Sequence, residues 1–234
     1  MVCSSDASPT WTGDDDAVAP TEGNRSVTEL IEAGLDREAA EQGAAPPLDQ
    51  HGGSMDPITQ LEQLGPHLGR VVSGIGPDQL DLPTPCAKFD VRAVLEHMIG
   101  GAVVFAAAFR GEEATPHEVP DPLGSFGPAL GDLVAAITAP GALERTVAAP
   151  FGEVPGETFC RFVVLDGLVH GWDLATVTDQ AYEPPGELVA AAFDFARQTL
   201  DPLRDGDTFA QPVESAPDAS PIERLANYTG RRRL

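Results

Sequence analysis

The chain has 234 residues, enough for one domain of ordinary size and some additional sequence. With 14 basic against 37 acidic residues it is strongly acidic, which argues against nucleic acid or an anionic membrane surface as partner, since both call for a basic patch. Its three scattered cysteines, Cys3, Cys86 and Cys160, form no CxxC pair, no apolar run is read as reaching the ~18 residues of a membrane span, and no secretory signal is recognised, so the expectation is a cytoplasmic protein with reduced thiols.

Residues 1–54 are polar and poor in aliphatics, with 11 acidic and 2 basic side chains. Such a segment buries too little apolar surface to offset its ordering entropy. It is expected to be a disordered acidic extension with one marginal helix near residues 27–41. Met55 opens a different regime and is expected to be the true start of the protein. The folded domain is then 55–234.

From Met55 the pattern is mostly helical. Asp56 can cap a first helix with Pro57 at its first position. Ile58, Leu61, Leu64, Leu68 and Val72 recur at helical spacing, and GIGP ends the run. DLPTPCAKF is an extended loop. Asp90 caps a second helix, VRAVLEHMIGGAVVFAAAF, in which Val91, Val94, His97 and Met98 share a face. A loop covers residues 111–122, and a third helix is predicted over about 124–139. ERTVAAPFGEVPG alternates and carries turn residues, so a short β-hairpin is expected. A fourth helix is predicted over about 157–178 and a fifth over about 186–203. A last short helix follows the Ser220 cap. The fold class implied is all-α: an antiparallel four-helix bundle with a short β-hairpin and a small C-terminal helical appendage.

The fourth helix carries the informative residues. In VVLDGLVHGWDLA, the polar Asp166, His170 and Asp173 interrupt an otherwise apolar stripe that runs through Phe159, Phe162, Val163 and Val169. A core-facing carboxylate is costly unless it is paired or bound to a metal. Asp166 and His170 are four residues apart, so their side chains can converge on one cation. They can equally form a plain hydrogen-bonded pair. A third ligand must come from another helix. Of the five histidines, His51 lies in the acidic extension, His67 beside Pro66 and His117 in a loop, which leaves His97 on the second helix. Two histidines and one carboxylate with water in the remaining positions suit a catalytic Zn²⁺; Ni²⁺ and Fe²⁺ also fit.

PTPCAKFDVRAVLEHMIGG, FGEVPGETFCRFVVLDGLVHGWDLA and ASPIERLANYTGR together resemble the metal-binding branch of the DinB-like superfamily. The closest likeness is to the N-terminal domain family of the mycothiol-dependent maleylpyruvate isomerases, over roughly Met55 to the C-terminus. The resemblance implies a DinB-like four-helix bundle holding a divalent metal through a His on the second helix and a Glu/Asp-x-x-x-His pair on the fourth. Here those are His97, Asp166 and His170, with Asp in place of the isomerase's Glu. It also implies a low-molecular-weight thiol such as mycothiol as cosubstrate and a small electrophilic substrate. The isomerase has a further C-terminal domain, and the roughly 55 residues after the fourth helix are too few for it.

Other residues keep two readings each. Asp173 can accept the N–H of a ligand histidine or bind an arginine. Trp172 packs in the core or lines the pocket. Cys86, near a helix N-terminus, is a buried thiol or an activated one. Cys160 reads as core. Gly100 and Gly101 are expected to permit close helix packing. The terminal RRRL reads as a solvated basic end. Two functions follow: a metal-dependent enzyme of thiol transfer or isomerisation, or a non-catalytic metal- or small-ligand-binding helical module. The catalytic residues, the native metal and the oligomeric state are left open.

Overall fold

A computed structural model describes residues 55–87, 89–114, 118–149, 152–204 and 209–234. The expected disordered extension and its marginal helix lie outside the described residues. Six helices and one small sheet follow in chain order: α1 (Pro57–Ser73), α2 (Val91–Arg110), α3 (Pro122–Ile137), β1 (Thr146–Ala149), β2 (Gly152–Pro155), α4 (Gly156–Val177), α5 (Gly186–Thr199) and α6 (Pro221–Tyr228). The described protein is therefore mostly helical, in line with the all-α expectation.

Local chemistry sets the helix starts. The side chains of Asp56, Asp90 and Ser220 accept the backbone N–H of Thr59, Ala93 and Glu223, each closing one orphan donor of a first turn. Asp121 does the same through Gly124 for α3, which starts at Pro122, two residues before the predicted start. Helix α5 stops at Thr199, earlier than predicted, and residues Asp201–Leu203 form a 3₁₀ turn around Pro202. The hairpin pairs Val147 with Val154 in antiparallel register, and both valines are buried.

Helix α1 packs along α4, and α2 along α3; α4 also touches α2, α5 and α6. The fourth helix thus sits at the centre. Sixteen of its residues are buried, from Gly156 to Ala175, on every side of the helix. The single core-facing stripe read from the sequence is replaced by a helix enclosed all round. Its glycines make this possible. A Cβ on Gly167 would come within 2.7 Å of Leu64 Cδ2, and one on Gly171 within 2.9 Å of Leu68 Cδ2 and into the Tyr182 hydroxyl. Gly100, expected to serve close packing, has open space beside it, and Gly101 faces only Phe105 of its own helix.

The expectation that no segment reaches membrane-span length is corrected by α2, whose length and apolar composition meet that test. Nine of its residues, including Val91, Leu95, Ile99 and Phe109, are buried against the rest of the fold. An apolar core helix has the same composition as a span because both are desolvated.

Candidate metal centre

Helix α2 brings His97 to the Asp166–His170 turn of α4. One ligand atom from each of His97, Asp166 and His170 lies within 4.8 Å of the others. Asp166 Oδ2 is 3.9 Å from His97 Nε2, and its Oδ1 is 3.5 Å from His170 Nε2. The two rings meet edge to face with centroids 5.1 Å apart. Donors held 2.0–2.1 Å from one tetrahedral ion stand roughly 3.3 Å from each other. The triad is wider than that, by up to about 1.5 Å, so the side chains would have to move inward to share one ion.

Burial is graded across the three. The side chains of His97, Asp166 and His170 are 23%, 14% and 1% exposed. His170 Nε2 is buried and has no hydrogen-bond partner among the described residues. Its Nδ1 lies 3.0 Å from Asp173 Oδ2. A buried aspartate accepts there, so Nδ1 carries the proton and Nε2 presents a bare lone pair towards Asp166 and His97. Burial pushes the His170 pKa down to about 4, although Asp166 and Asp173 pull it the other way. The ring is neutral at pH 7, the form a cation needs. A buried lone pair with no donor, facing a carboxylate and a second imidazole, is a donor set that fits a divalent ion.

Asp173 contacts both a histidine and an arginine. It accepts from His170, and its Oδ2 stands 3.6 Å from Arg231 Nε, with the Asp173 side chain fully buried. The terminal RRRL is thus not wholly solvated: Arg231 is 7% exposed. The sequence reading missed this residue. Its one signal was Gly230, a glycine placed just past the end of a helix.

Trp172 is buried in the core on the far side of α4, beside Ala175 and Tyr182. Cys86 is buried and disulfide-bonded. That corrects the reduced-thiol expectation for Cys86, and its sulfur offers no free nucleophile to the site. Cys160 is a buried free thiol whose pKa burial raises to about 12, in keeping with a core role. Two small cavities reach Asp166. One, about 40 Å³, is walled by Leu64, Leu68, Met98, Phe105 and Leu133. The other lies between Phe162, Phe209 and Arg231.

Residues 61–175 match the family model of the mycothiol maleylpyruvate isomerase N-terminal domain, a stretch that includes all three clustered side chains. This part of the chain is similar to that family. Two uncharacterised proteins of Mycobacterium tuberculosis, from strains CDC 1551 / Oshkosh and H37Rv, are each 29% identical over 180 residues. The alignment takes in 76% of this chain and 98% of either relative. No solved structure matches the chain. Arg231 lies beyond the mycothiol maleylpyruvate isomerase N-terminal match, so the pairing with Asp173 joins the family domain to sequence outside it.

Proposed function

We propose that this protein binds one divalent metal ion, Zn²⁺ first among candidates with Ni²⁺ and Fe²⁺ behind it, through His97, Asp166 and His170 on a DinB-like four-helix bundle. The observation that carries this is the buried Nε2 of His170, without a hydrogen-bond partner among the described residues and facing Asp166 and His97. Such an ion, with open positions, acts as a Lewis acid and lowers the pKa of a bound water or thiol. Similarity to a mycothiol-related family supports a low-molecular-weight thiol as the group activated. The reaction class is then thiol transfer or isomerisation on a small electrophile. The chain's own part is to fix the donors, keep His170 neutral and exclude bulk water from the α4 side.

One observation favours the second reading, a metal-binding module without catalysis. The apolar cavity beside Asp166, about 40 Å³, has room for a water or two and not for a thiol with an electrophile. Metal analysis of untagged protein separates binding from no binding. About one equivalent of divalent metal is expected, with His97→Ala losing most of it. Wild-type protein that retains no more metal than His97→Ala would remove the reading. Cobalt-loaded protein then separates the two functions. A change of its visible spectrum on adding a small thiol supports the enzyme; an unchanged spectrum supports the module.

A further inference from the structure

The end of α6 and the residues that leave it read Ala-Asn-Tyr-Thr-Gly-Arg, residues 226–231. Gly230 has φ of 93°, a left-handed conformation that suits glycine. Its N–H donates to Asn227 O at 2.9 Å, and the Arg231 N–H donates to Ala226 O at 3.0 Å. These two bonds form the paired closure that ends many helices at a glycine. A side chain at position 230 would meet Ala210 Cβ at 2.5 Å, so the turn is closely packed as well. Asn227 Nδ2 donates to the Arg231 carbonyl at 2.9 Å and holds the backbone of this residue in place. The turn therefore points the chain inward at Arg231, one residue after the glycine.

Arg231 faces Asp173. Among the described residues, Asp173 has two ion partners, His170 and Arg231. A fully buried carboxylate without a counter-charge is costly. His170 cannot serve as that counter-charge while it acts as a neutral ligand. Among the described residues the guanidinium is left as the cation that faces Asp173. The Arg231 Nη1 donates to Thr229 O at 3.2 Å, which restricts the fork. Among the described residues Arg231 Nε and Asp173 Oδ1 are both buried without hydrogen-bond partners, and the two groups approach through Nε and Oδ2 at 3.6 Å.

We propose that Arg231 is a positioning residue of the metal centre: it holds the Asp173 carboxylate against His170 Nδ1 and so fixes the tautomer that leaves Nε2 free for a cation. The α6 segment is on this account part of the site, although it supplies no ligand. The affinity readout of this inference rests on the metal reading above; its tautomer readout does not.

The test uses the full chain as wild type, Arg231→Met, Arg231→Gln, Arg231→Lys and Asp173→Asn. Nitrogen-15 NMR of metal-free protein reports the His170 tautomer, and competition with a chromophoric chelator reports Zn²⁺ affinity. In the wild type, His170 is expected as the Nδ1–H form. Arg231→Met and Asp173→Asn should mix the tautomers and weaken Zn²⁺ binding about 10- to 100-fold. Arg231→Gln, which keeps bulk and loses charge, is read the same way should the Met variant fail to fold. Arg231→Lys should restore the tautomer and part of the affinity. A neutral variant with wild-type tautomer and affinity overturns the proposal, as does failure of Lys to restore either. A wild type that binds no Zn²⁺ while Arg231→Gln still shifts the tautomer supports the positioning role and removes the metal reading alone.

Discussion

A cation ligand must offer a lone pair, and His170 offers one because burial disfavours its charged form. Its pKa, pushed down to about 4 from the usual 6.5, has a measurable consequence in metal-free protein. In the unfolded chain the imidazole takes up a proton as pH falls through 6.5; in the folded chain it resists until about 4. Between those values the unfolded state holds more protons, so acidification favours unfolding. Stability is expected to be flat in this group above pH 6.5 and to fall by up to about 3 kcal/mol on going down to pH 4. Urea titrations of wild type and His170→Gln at several pH values check it: the variant should lose this slope. Equal slopes would mean the ring is solvated. Four of the residues in this cluster, His97, Asp166, His170 and Asp173, were legible in the sequence. Asp166 and His170 stand out because a four-residue spacing puts them on one face, and His97 because few other histidines lie on helices. Arg231 was not legible. Nothing in local spacing tells that the RRRL end turns back onto α4, since the direction of a chain after a closing glycine depends on packing.

Helix α4 is where packing rather than pattern decides. Its neighbours approach closely at Gly167 and Gly171, each placed directly after a member of the triad. An alanine at 167 meets the ends of Leu64 and Leu68, which are flexible. An alanine at 171 meets the ring end of buried Tyr182 as well as Leu68, and a ring has few ways to yield. Gly171→Ala is therefore expected to destabilise by about 1–3 kcal/mol, even after the gain of roughly 1 kcal/mol in helix propensity. Gly167→Ala should cost less. Chemical denaturation of both variants tests the order, and a stabilised Gly171→Ala would contradict the packing account. The caps at Asp56, Asp90 and Ser220 were readable from the sequence because an N-cap is a local bond. The centrality of α4 was not, because a polar cluster on an apolar helix looks the same whether one face or every face is covered. The glycine pair at 100 and 101 misled for the same reason: small residues permit close approach but do not show which helix makes it.

At the scale of the whole molecule, the proposed ion ties α2 to α4, two elements from distant parts of the chain. A ligand that binds only the folded form adds its binding free energy to stability. Zn²⁺ at a hundredfold excess over its dissociation constant adds about 2.7 kcal/mol. For a domain of this size that raises Tm by roughly 5–10 °C. Differential scanning calorimetry with and without Zn²⁺ should show this rise, and His97→Ala should abolish it; an unshifted wild type would argue against a shared ion. The acidic charge and the helical majority were both apparent from composition and periodicity. The membrane-like composition of α2 was underrated in the sequence, and only its burial shows that it serves the core.

The exposure gradient across the triad has a kinetic side. His97 is 23% open to solvent while His170 is sealed at 1%. An arriving ion would therefore shed its hydration shell first against the α2 imidazole and settle last onto the α4 one. Release of such an ion would run in reverse: a scavenger in solution would compete for the outer coordination face, and the lifetime of the bound ion would be set by the swing of one partly solvated ring rather than by the opening of the central helix.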